Sequence, residues 1–189
     1  LVERSCYDEV VEIARRAAEA TVVGNPEEEG DHIGPLFDQI QFDRVQNMIQ
    51  VGIDEGANLI SGGLGRPEGF ETGWFVRPTI FADVDNTMRI AREEIFGPVL
   101  AIIPFDTEEE AVAIANDTPY GLAAYVQTGS AERAARVSRS LRAGAVHING
   151  GAYEYGSPFG GYKASGNGRE GGEMGLEDFL ETKMVHGLA

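Results

Sequence analysis

The sequence predicts an α/β fold in which crossover helices connect the strands of a largely parallel sheet. Short segments rich in β-branched residues alternate along the chain with longer segments whose apolar residues recur at helical spacing. One strand-like segment, PVLAIIPF, is almost continuously apolar, which is typical of a strand buried on both faces of a parallel sheet. With 189 residues, 42% of them hydrophobic, the chain is long enough to bury a domain core without disulfides or a structural metal.

The first half of the chain predicts two helices followed by three extended segments. Ser5 and Asp8 resemble a capping box at the start of the first helix, and the second helix runs from about Ile40 to a stop at Gly56. The extended segments are ANLISGG, GWFVRPTIFADV and PVLAIIPF. Because Pro78 cannot donate to a strand ladder, the second of these is predicted to be an edge strand or an irregular segment.

The second half alternates helices and strands before it becomes rich in glycine. Thr107 predicts a capping box for a helix through Ala115, and Ser130 predicts the N-cap of a helix that ends at Gly144. The strands LAAYVQT and AVHIN follow these helices in turn. Residues 150–172 are too many for a simple connection, which indicates a functional loop. A helix at about 176–181 and a terminal strand, KMVHGL, are predicted to follow, so that residues 1–181 form one domain and residues 182–189 a separate strand.

The composition narrows the classes of partner. Fifteen basic residues against 31 acidic ones give a net charge of −16, which repels nucleic acid and anionic membranes and favours a small-molecule or protein partner. One cysteine and three histidines provide neither a disulfide nor zinc-ligand spacing, so we expect no metal site and a reducing, cytoplasmic setting. No apolar run approaches the roughly 20 residues of a membrane span.

Two apparent motifs are interpreted as structural. Cys6 has no histidine near it in the sequence, its neighbours include acidic residues, and a lone cysteine is usually a buried or half-buried packing residue. The GNGREG sequence at 166–171 matches the dinucleotide-binding fingerprint, but no buried strand precedes it and only residues 172–189 follow it. We therefore interpret its glycines as permitting tight turns in a loop.

The sequence EEIFGPVL is the first candidate for a ligand contact. Glu93 and Glu94 precede Phe96 and a rigid Gly-Pro turn at the start of a predicted strand. A carboxylate accepts two hydrogen bonds at once and so suits the vicinal hydroxyls of a ribose, whereas an aromatic face suits a planar ring or a sugar. The alternative is a solvated pair of glutamates beside a phenylalanine of the core.

The glycine-rich loop contains the second and third candidates. Phe159, in the sequence SPFGGYK, is either an anchor that packs into the core or a wall of an apolar pocket. Glu170 is either a general base or a negative charge that stabilises the N-terminus of the following helix. The residues alone leave both alternatives open.

From end to end the chain resembles the aldehyde dehydrogenase superfamily. The matching stretches are VGNP, GWFVRPTIF, EEIFGPVL, NDTPYGLAAYVQT, AGAVHIN, SPFGGYKASGNGRE and ETKMV, and their order and spacing match as well. The combination of EEIFGP with SPFGGYKASGNGRE is highly specific. The resemblance identifies residues 1–181 as a catalytic domain that is incomplete at its N-terminus, and residues 182–189 as an oligomerisation strand.

The resemblance also implies roles for individual residues. Glu94 corresponds to the glutamate that binds the nicotinamide-ribose hydroxyls, and Phe96 to the residue that packs beside that ribose and ring. Phe159 corresponds to the aromatic wall of the aldehyde pocket, and Asn149 begins the loop that anchors the aldehyde, which GGAYEYG fills here. Glu170 resembles a carboxylate that relays protons in some members.

The resemblance implies an NAD(P)-dependent oxidation of an aldehyde to a carboxylic acid, with NAD favoured over NADP. A cysteine thiolate forms a thiohemiacetal, hydride leaves for the cofactor, and an activated water hydrolyses the thioester. The expected partners are the aldehyde and further copies of the chain. The nucleophile belongs upstream of LVERS, and the chain begins without methionine, so we expect a cut chain that is inactive alone.

Two alternatives remain open at this stage. An acylating or reductive relative would transfer the thioester to coenzyme A or reduce an acyl phosphate, and the hydrolytic glutamate that distinguishes it is expected upstream. The other alternative is a non-catalytic fragment that keeps only the oligomerisation surface. A cysteine-bearing segment directly upstream in the gene would exclude the second.

Overall fold

The computed structural model describes residues 1–187, which divide into two compact units. Unit 1 comprises Leu1–Thr107 and unit 2 begins at Glu108. The assignment of residues 1–181 to a single catalytic domain remains a prediction. None of the described helices combines the length and apolar composition that crossing a bilayer requires.

Unit 1 contains three helices and five short strands. The helices are α1 (Tyr7–Ala20), α2 (Gln39–Asp54) and α3 (Arg89–Arg92). The strands are β1 (Val2–Glu3), β2 (Asn58–Ser61), β3 (Thr79–Ala82), β4 (Val99–Ala101) and β5 (Pro104–Phe105). β3 lies between β2, which is antiparallel to it, and β4, which is parallel to it, while β1 pairs in parallel with β5.

Helices cover both faces of β3. Because successive strand side chains point to opposite faces, Ile80 packs with Tyr7 and Ala18 of α1, whereas Phe81 belongs to the larger core formed with α2. Val45 and Ile49 of that larger core are fully buried. The local sequence fixes α2 as well, since the carboxylate of its N-cap, Asp38, accepts a 2.8 Å hydrogen bond from the Gln41 amide.

Unit 2 contains a parallel strand pair and three helices. The elements are α4 (Glu108–Asn116), β6 (Ala123–Val126), α5 (Ala131–Ser140), β7 (Ala145–Ile148) and α6 (Gly172–Glu177). α5 is the crossover between β6 and β7, and Ser130 is its N-cap as predicted, accepting from the Arg133 amide at 3.2 Å. The α/β class is thus confirmed, with parallel pairing at three of the four strand pairs described and separate small sheets in place of one continuous sheet.

Two strand predictions differ from the structure in detail. The segment around Pro78 is irregular at residues 73–78, as one alternative predicted, but TIFA forms the central strand β3 rather than an edge strand. Pro78 lies just before β3, so its missing N–H is outside the ladder. PVLAIIPF is not one strand buried on both faces. It is interrupted at Ile102 and Ile103 and contributes to two sheets, and Leu100 is 49% exposed, so β4 is not fully covered on the face from which Leu100 points.

Some predicted ends also differ from the structure. The Ser5 hydroxyl donates to Glu3 rather than capping α1, whose N-cap is Cys6, and α5 ends at Ser140 rather than at Gly144. The last helix begins at Gly172, earlier than expected. Residues 182–187 are in no assigned strand, and residues 188–189 lie outside the described part. A strand that pairs only with a neighbouring subunit has no partner within one chain, so the oligomerisation strand stays a prediction.

Candidate functional site

The segment from Glu93 to Gly97 connects α3 to β4 and is anchored through Ile95. The Ile95 side chain is only 8% exposed and packs into the larger core of unit 1. The residues on either side of it point outward, since Glu94 is exposed and the Phe96 side chain is 65% exposed. One buried residue therefore presents a carboxylate and an aromatic ring on the surface, which excludes the alternative of a core phenylalanine.

Two polar side chains of α2 fix the backbone of this segment. The Gln41 amide donates to the carbonyls of Ile95, at 3.0 Å, and Phe96, at 2.7 Å, while the Arg44 guanidinium donates to the Glu94 carbonyl at 2.6 Å. Phe96 has a φ of +59°, which is strained for a bulky residue and persists only where its surroundings hold it. Sequence reasoning missed Gln41 and Arg44, because polar residues on a helix are ordinarily solvated.

Close packing against α2 restrains the segment further. A side chain at Gly97 would place its Cβ 2.7 Å from a methyl group of Val45, so glycine is required for the approach. Since Val45 is fully buried, it has no room to move away. The backbone that carries the exposed carboxylate and ring is therefore rigid.

The two adjacent glutamates differ in their partners. Glu93 accepts a 2.7 Å hydrogen bond from Arg89, and this bond together with the positive charge lowers the pKa of the Glu93 carboxyl. The Glu94 carboxylate accepts no hydrogen bond from any residue within 1–187. Of the pair, Glu94 is the one whose oxygens are free to accept hydrogen bonds from a ligand.

Asn149 of unit 2 is located where β7 ends and the candidate aldehyde loop begins. Its side-chain amide forms two hydrogen bonds of 2.9 Å with the backbone of Thr128, accepting from the N–H and donating to the carbonyl. Its φ of +50° is one that asparagine tolerates better than most residues. These bonds engage both the oxygen and the nitrogen of the side-chain amide. Asn149 therefore fixes the position at which the loop starts.

The structure brings Phe159 and Glu170 together. Each backbone N–H donates to the other residue's carbonyl at 2.7 Å, which closes the glycine-rich loop with an antiparallel bridge. The Phe159 ring is 40% exposed and meets the ring of Tyr153 edge to face, with 6.4 Å between centroids. The Tyr153 hydroxyl donates to the Ser157 carbonyl. Tyr153 was not among the sequence candidates, because nothing local links it to Phe159.

The Glu170 side chain is exposed, and the residue lies just before α6, which begins at Gly172. Both sequence alternatives, a proton-transferring group and a charge near a helix N-terminus, are compatible with this position. In the same loop Gly166, Gly168 and Gly171 all have positive φ, and the element directly before them is a short 3-10 helix at Lys163–Ser165 rather than a strand. The interpretation of GNGREG as turns in a loop is therefore confirmed.

Cys6 is exposed, which corrects the expectation of a buried packing residue. Its thiol donates a weak 3.4 Å hydrogen bond to the Glu3 carbonyl at the start of α1. The helix turn that places it there leaves the side chain at the surface. Within residues 1–187 no three His, Cys, Asp or Glu side chains are grouped closely enough to hold a metal ion.

Comparison with known proteins gives consistent matches. The aldehyde dehydrogenase family model matches residues 1–185. A 3-succinoylsemialdehyde-pyridine dehydrogenase of a Pseudomonas species is 54% identical over 187 residues, which cover 99% of this chain and 39% of the relative. The chain thus spans about two fifths of that relative's length, and the match does not by itself support the predicted placement in the C-terminal part.

Solved structures agree with the sequence relatives. An aldehyde dehydrogenase C mutant from Pseudomonas syringae, in complex with NAD+ and octanal, is similar over the whole chain and 39% of its own length, with a TM-score of 0.94 and 53% identity. An aldehyde dehydrogenase of Mycobacterium tuberculosis in complex with NAD+ has a TM-score of 0.89 and 53% identity, covering 94% of this chain and 37% of that one. This chain therefore belongs to the aldehyde dehydrogenase family.

Proposed function

We propose that this chain is part of an enzyme that oxidises an aldehyde to a carboxylic acid with NAD+, through a cysteine thiohemiacetal and thioester. The observation that carries the proposal is the rigid surface segment in which Glu94 and Phe96 flank the buried Ile95. Relatives solved with NAD+ and with octanal support the choice of cofactor and of substrate class. The enzyme is proposed to work in the reducing cytoplasm.

Glu94 and Phe96 are proposed to bind the nicotinamide ribose. The Glu94 carboxylate has free lone pairs for two vicinal hydroxyls, and the Phe96 ring offers an exposed apolar face beside it. When bound, NAD+ supplies the hydride acceptor. Because Gln41 and Arg44 hold the backbone before any ligand arrives, little conformational entropy is lost on binding.

Phe159 and the loop that begins at Asn149 are proposed to line the aldehyde site. The part-exposed ring of Phe159, extended by Tyr153, is an apolar surface suited to the substituent of an aldehyde. Glu170 is proposed to relay protons, since its side chain is exposed and its backbone pairs with that of Phe159. The nucleophile is assigned to the rest of the enzyme, because the exposed thiol of Cys6 has only a backbone carbonyl as its hydrogen-bond partner among the described residues.

The chain is also proposed to be the C-terminal part of the enzyme, with a terminal strand that pairs with another subunit. The order of the motifs supports this placement. The exposure of Met184 and Val185, 78% and 60%, supports the pairing with another subunit. Removal of Lys183–Ala189 from the full-length enzyme is expected to dissociate its oligomer, measured by light scattering. An undiminished oligomer would contradict the assignment of this strand.

The two neighbouring glutamates provide a matched test of the cofactor site. In the full-length enzyme, Glu94→Gln should raise the KM for NAD+ about tenfold or more, because it removes a charge-assisted contact of about 1.5–3 kcal/mol. The control, Glu93→Gln, makes the same chemical change at a carboxylate that is bonded to Arg89. It should leave the KM for NAD+ within about twofold. A raised aldehyde KM with an unchanged NAD+ KM for Glu94→Gln would remove Glu94 from the cofactor site.

A further inference from the structure

Arg169 lies in the glycine-rich loop immediately before Glu170, the residue bridged to Phe159. We propose that Arg169 is a positioning residue that fixes the Phe159 ring and thereby sets which aldehydes the enzyme accepts by size. The inference rests on the proposed role of Phe159 as a wall of the aldehyde site. Arg169 itself touches neither substrate nor cofactor in this account.

The side chain of Arg169 joins the two limbs of the loop. One guanidinium nitrogen donates to the Gly161 carbonyl at 3.0 Å and to the Gly168 carbonyl at 2.6 Å. The guanidinium carbon lies 5.4 Å from the centre of the Tyr162 ring, within range of a cation–π interaction. The Arg169 backbone N–H is held in turn by the Asp178 carboxylate at 3.1 Å. The backbone of Arg169 is thus held by Asp178, and its guanidinium group is bonded across the loop.

The residue that follows Phe159 packs directly against Arg169. A Cβ built on Gly160 would lie 3.0 Å from both the Cδ and a terminal nitrogen of Arg169, and 2.5 Å from the Gly168 carbonyl oxygen. Gly160 has no side chain to resist displacement, so the position of the backbone beside Phe159 depends on what lies against it. Arg169 is therefore in contact one residue after Phe159 and is covalently joined to the residue that pairs with it.

Among residues 1–187, Phe159 belongs to neither buried core cluster. The residue is 40% exposed, and its ring meets that of the half-exposed Tyr153. The direction of the ring therefore depends on the position of its backbone as well as on packing. The backbone in turn is fixed by the bridge to Glu170 and by Arg169.

Lys163 supplies a natural control in the same loop. Its ammonium group also donates two hydrogen bonds to backbone carbonyls, to Asn116 and Thr118 at 2.9 Å each. These bonds tie the loop to the end of α4, whereas those of Arg169 tie the loop to itself. Loss of Lys163 removes the attachment of the loop to α4, whereas loss of Arg169 removes the bonds within the loop beside Phe159.

The test compares Arg169→Met, Arg169→Lys, Lys163→Met and Phe159→Ala in the full-length enzyme. Two measurements are made for each variant. The first is steady-state kinetics with straight-chain aldehydes from propanal to octanal, and the second is backbone hydrogen exchange of peptides covering residues 157–172. Arg169→Met should raise the KM for short aldehydes about tenfold or more, with the same chain-length profile as Phe159→Ala, and leave the KM for NAD+ unchanged. Exchange at the Phe159 and Glu170 amides should quicken roughly tenfold or more. Arg169→Lys should restore part of both, and Lys163→Met should reproduce neither.

Combining the variants separates the two proposals. If Arg169 acts through Phe159, the double variant Arg169→Met/Phe159→Ala should be no worse than Phe159→Ala. Additive losses, or a uniform fall in kcat without a change in chain-length profile, would overturn the inference. If Arg169→Met quickens amide exchange but Phe159→Ala leaves selectivity unchanged, it is the role proposed for Phe159 that fails. Should Arg169→Met not fold, Arg169→Lys carries the same comparison, because it keeps the charge without the planar guanidinium.

Discussion

The two units of this chain are stabilised in different ways. Unit 1 buries apolar side chains completely, among them Val45, Ile49 and Phe81, and its candidate site is fastened to that core through Ile95. In residues 108–187 no apolar side chain is buried. The candidate site of unit 2 is held instead by polar contacts, of which the bonds of Asn149 and Arg169 are the principal ones.

The comparison suggests what each region needs from the rest of the enzyme. Unit 2 exposes a group of large apolar side chains in its last residues: Met174, Leu176, Phe179, Leu180, Met184 and Val185. A surface of this kind ordinarily marks an interaction site. We expect it to be covered in the complete enzyme. Unit 1 also exposes large apolar side chains, among them Phe37 and Ile40, but it buries a core of its own. A rigid segment around Ile95 and a loop that depends on a few bonds then follow from the same difference.

The largest expected effect comes from truncating one phenylalanine in each unit to alanine and comparing the losses of stability. In this chain Phe81→Ala should lower the free energy of unfolding by about 3–5 kcal/mol, because it leaves a cavity beside a fully buried residue. Phe179→Ala should change it by no more than about 0.5 kcal/mol, because that side chain is 84% exposed. Urea denaturation measures both. Equal losses would show that unit 2 has a core of its own.

The second prediction concerns backbone packing in unit 2. A Cβ at Gly144 would overlap the Gly160 carbonyl oxygen, so Gly144→Ala should destabilise the chain by about 1–3 kcal/mol or more and displace the loop next to Phe159. Gly129→Ala is the control, because no atom lies within 4 Å of its Cβ position. Denaturation midpoints compare the two. Equal stability of the two variants would show that the loop is not closely packed against Gly144.

Features that depend on neighbours in the sequence were predictable, whereas features that depend on the tertiary fold were not. The helix that begins after Ser130 was predictable because its cap is local, within three residues of its partner. Glu94, Phe96 and Phe159 were named from local patterns and a resemblance. What holds them was not, because Gln41 is far from Phe96 in sequence and only the tertiary fold joins them.

The strand around Pro78 makes the same point in reverse. A local rule about Pro78 predicted an edge strand or an irregular segment, whereas the residues from Thr79 onward form a central strand. Proline excludes only its own N–H from pairing, so a strand may start directly after it in the middle of a sheet. Sheet order depends on pairings distant in sequence, and no local pattern specifies it.

A smaller effect is expected from the hydroxyl of Tyr7, which links α1 to the sheet of unit 1. It accepts a 2.6 Å hydrogen bond from the Asp83 N–H and donates to the Ile102 carbonyl at 3.4 Å. Tyr7→Phe should therefore cost about 0.5–1.5 kcal/mol in urea denaturation at neutral pH. Hydrogen exchange would locate the loss of stability. A loss confined to unit 2 would contradict the assignment of Tyr7 to the core of unit 1.

The same residue gives unit 1 a dependence on alkaline pH. Burial raises the pKa of the Tyr7 phenol above its ordinary value of 10.0. The folded state thus favours the protonated phenol, so its contribution to stability is complete below pH 10 and is lost as the pH rises through the folded-state pKa. Tyr7→Phe should make the decline above pH 10 less steep. An unchanged decline would assign it to other groups.

The central claim is that this chain contributes binding surfaces to an aldehyde dehydrogenase but not the nucleophile. The most direct measurement is the formation of NADH by the purified 189-residue chain, of verified intact mass, with NAD+ and octanal in excess. We expect no turnover, because the nucleophilic thiolate is proposed to lie in the rest of the enzyme. Steady turnover that survives Cys6→Ser would contradict the claim, and turnover that Cys6→Ser abolishes would make Cys6 the nucleophile.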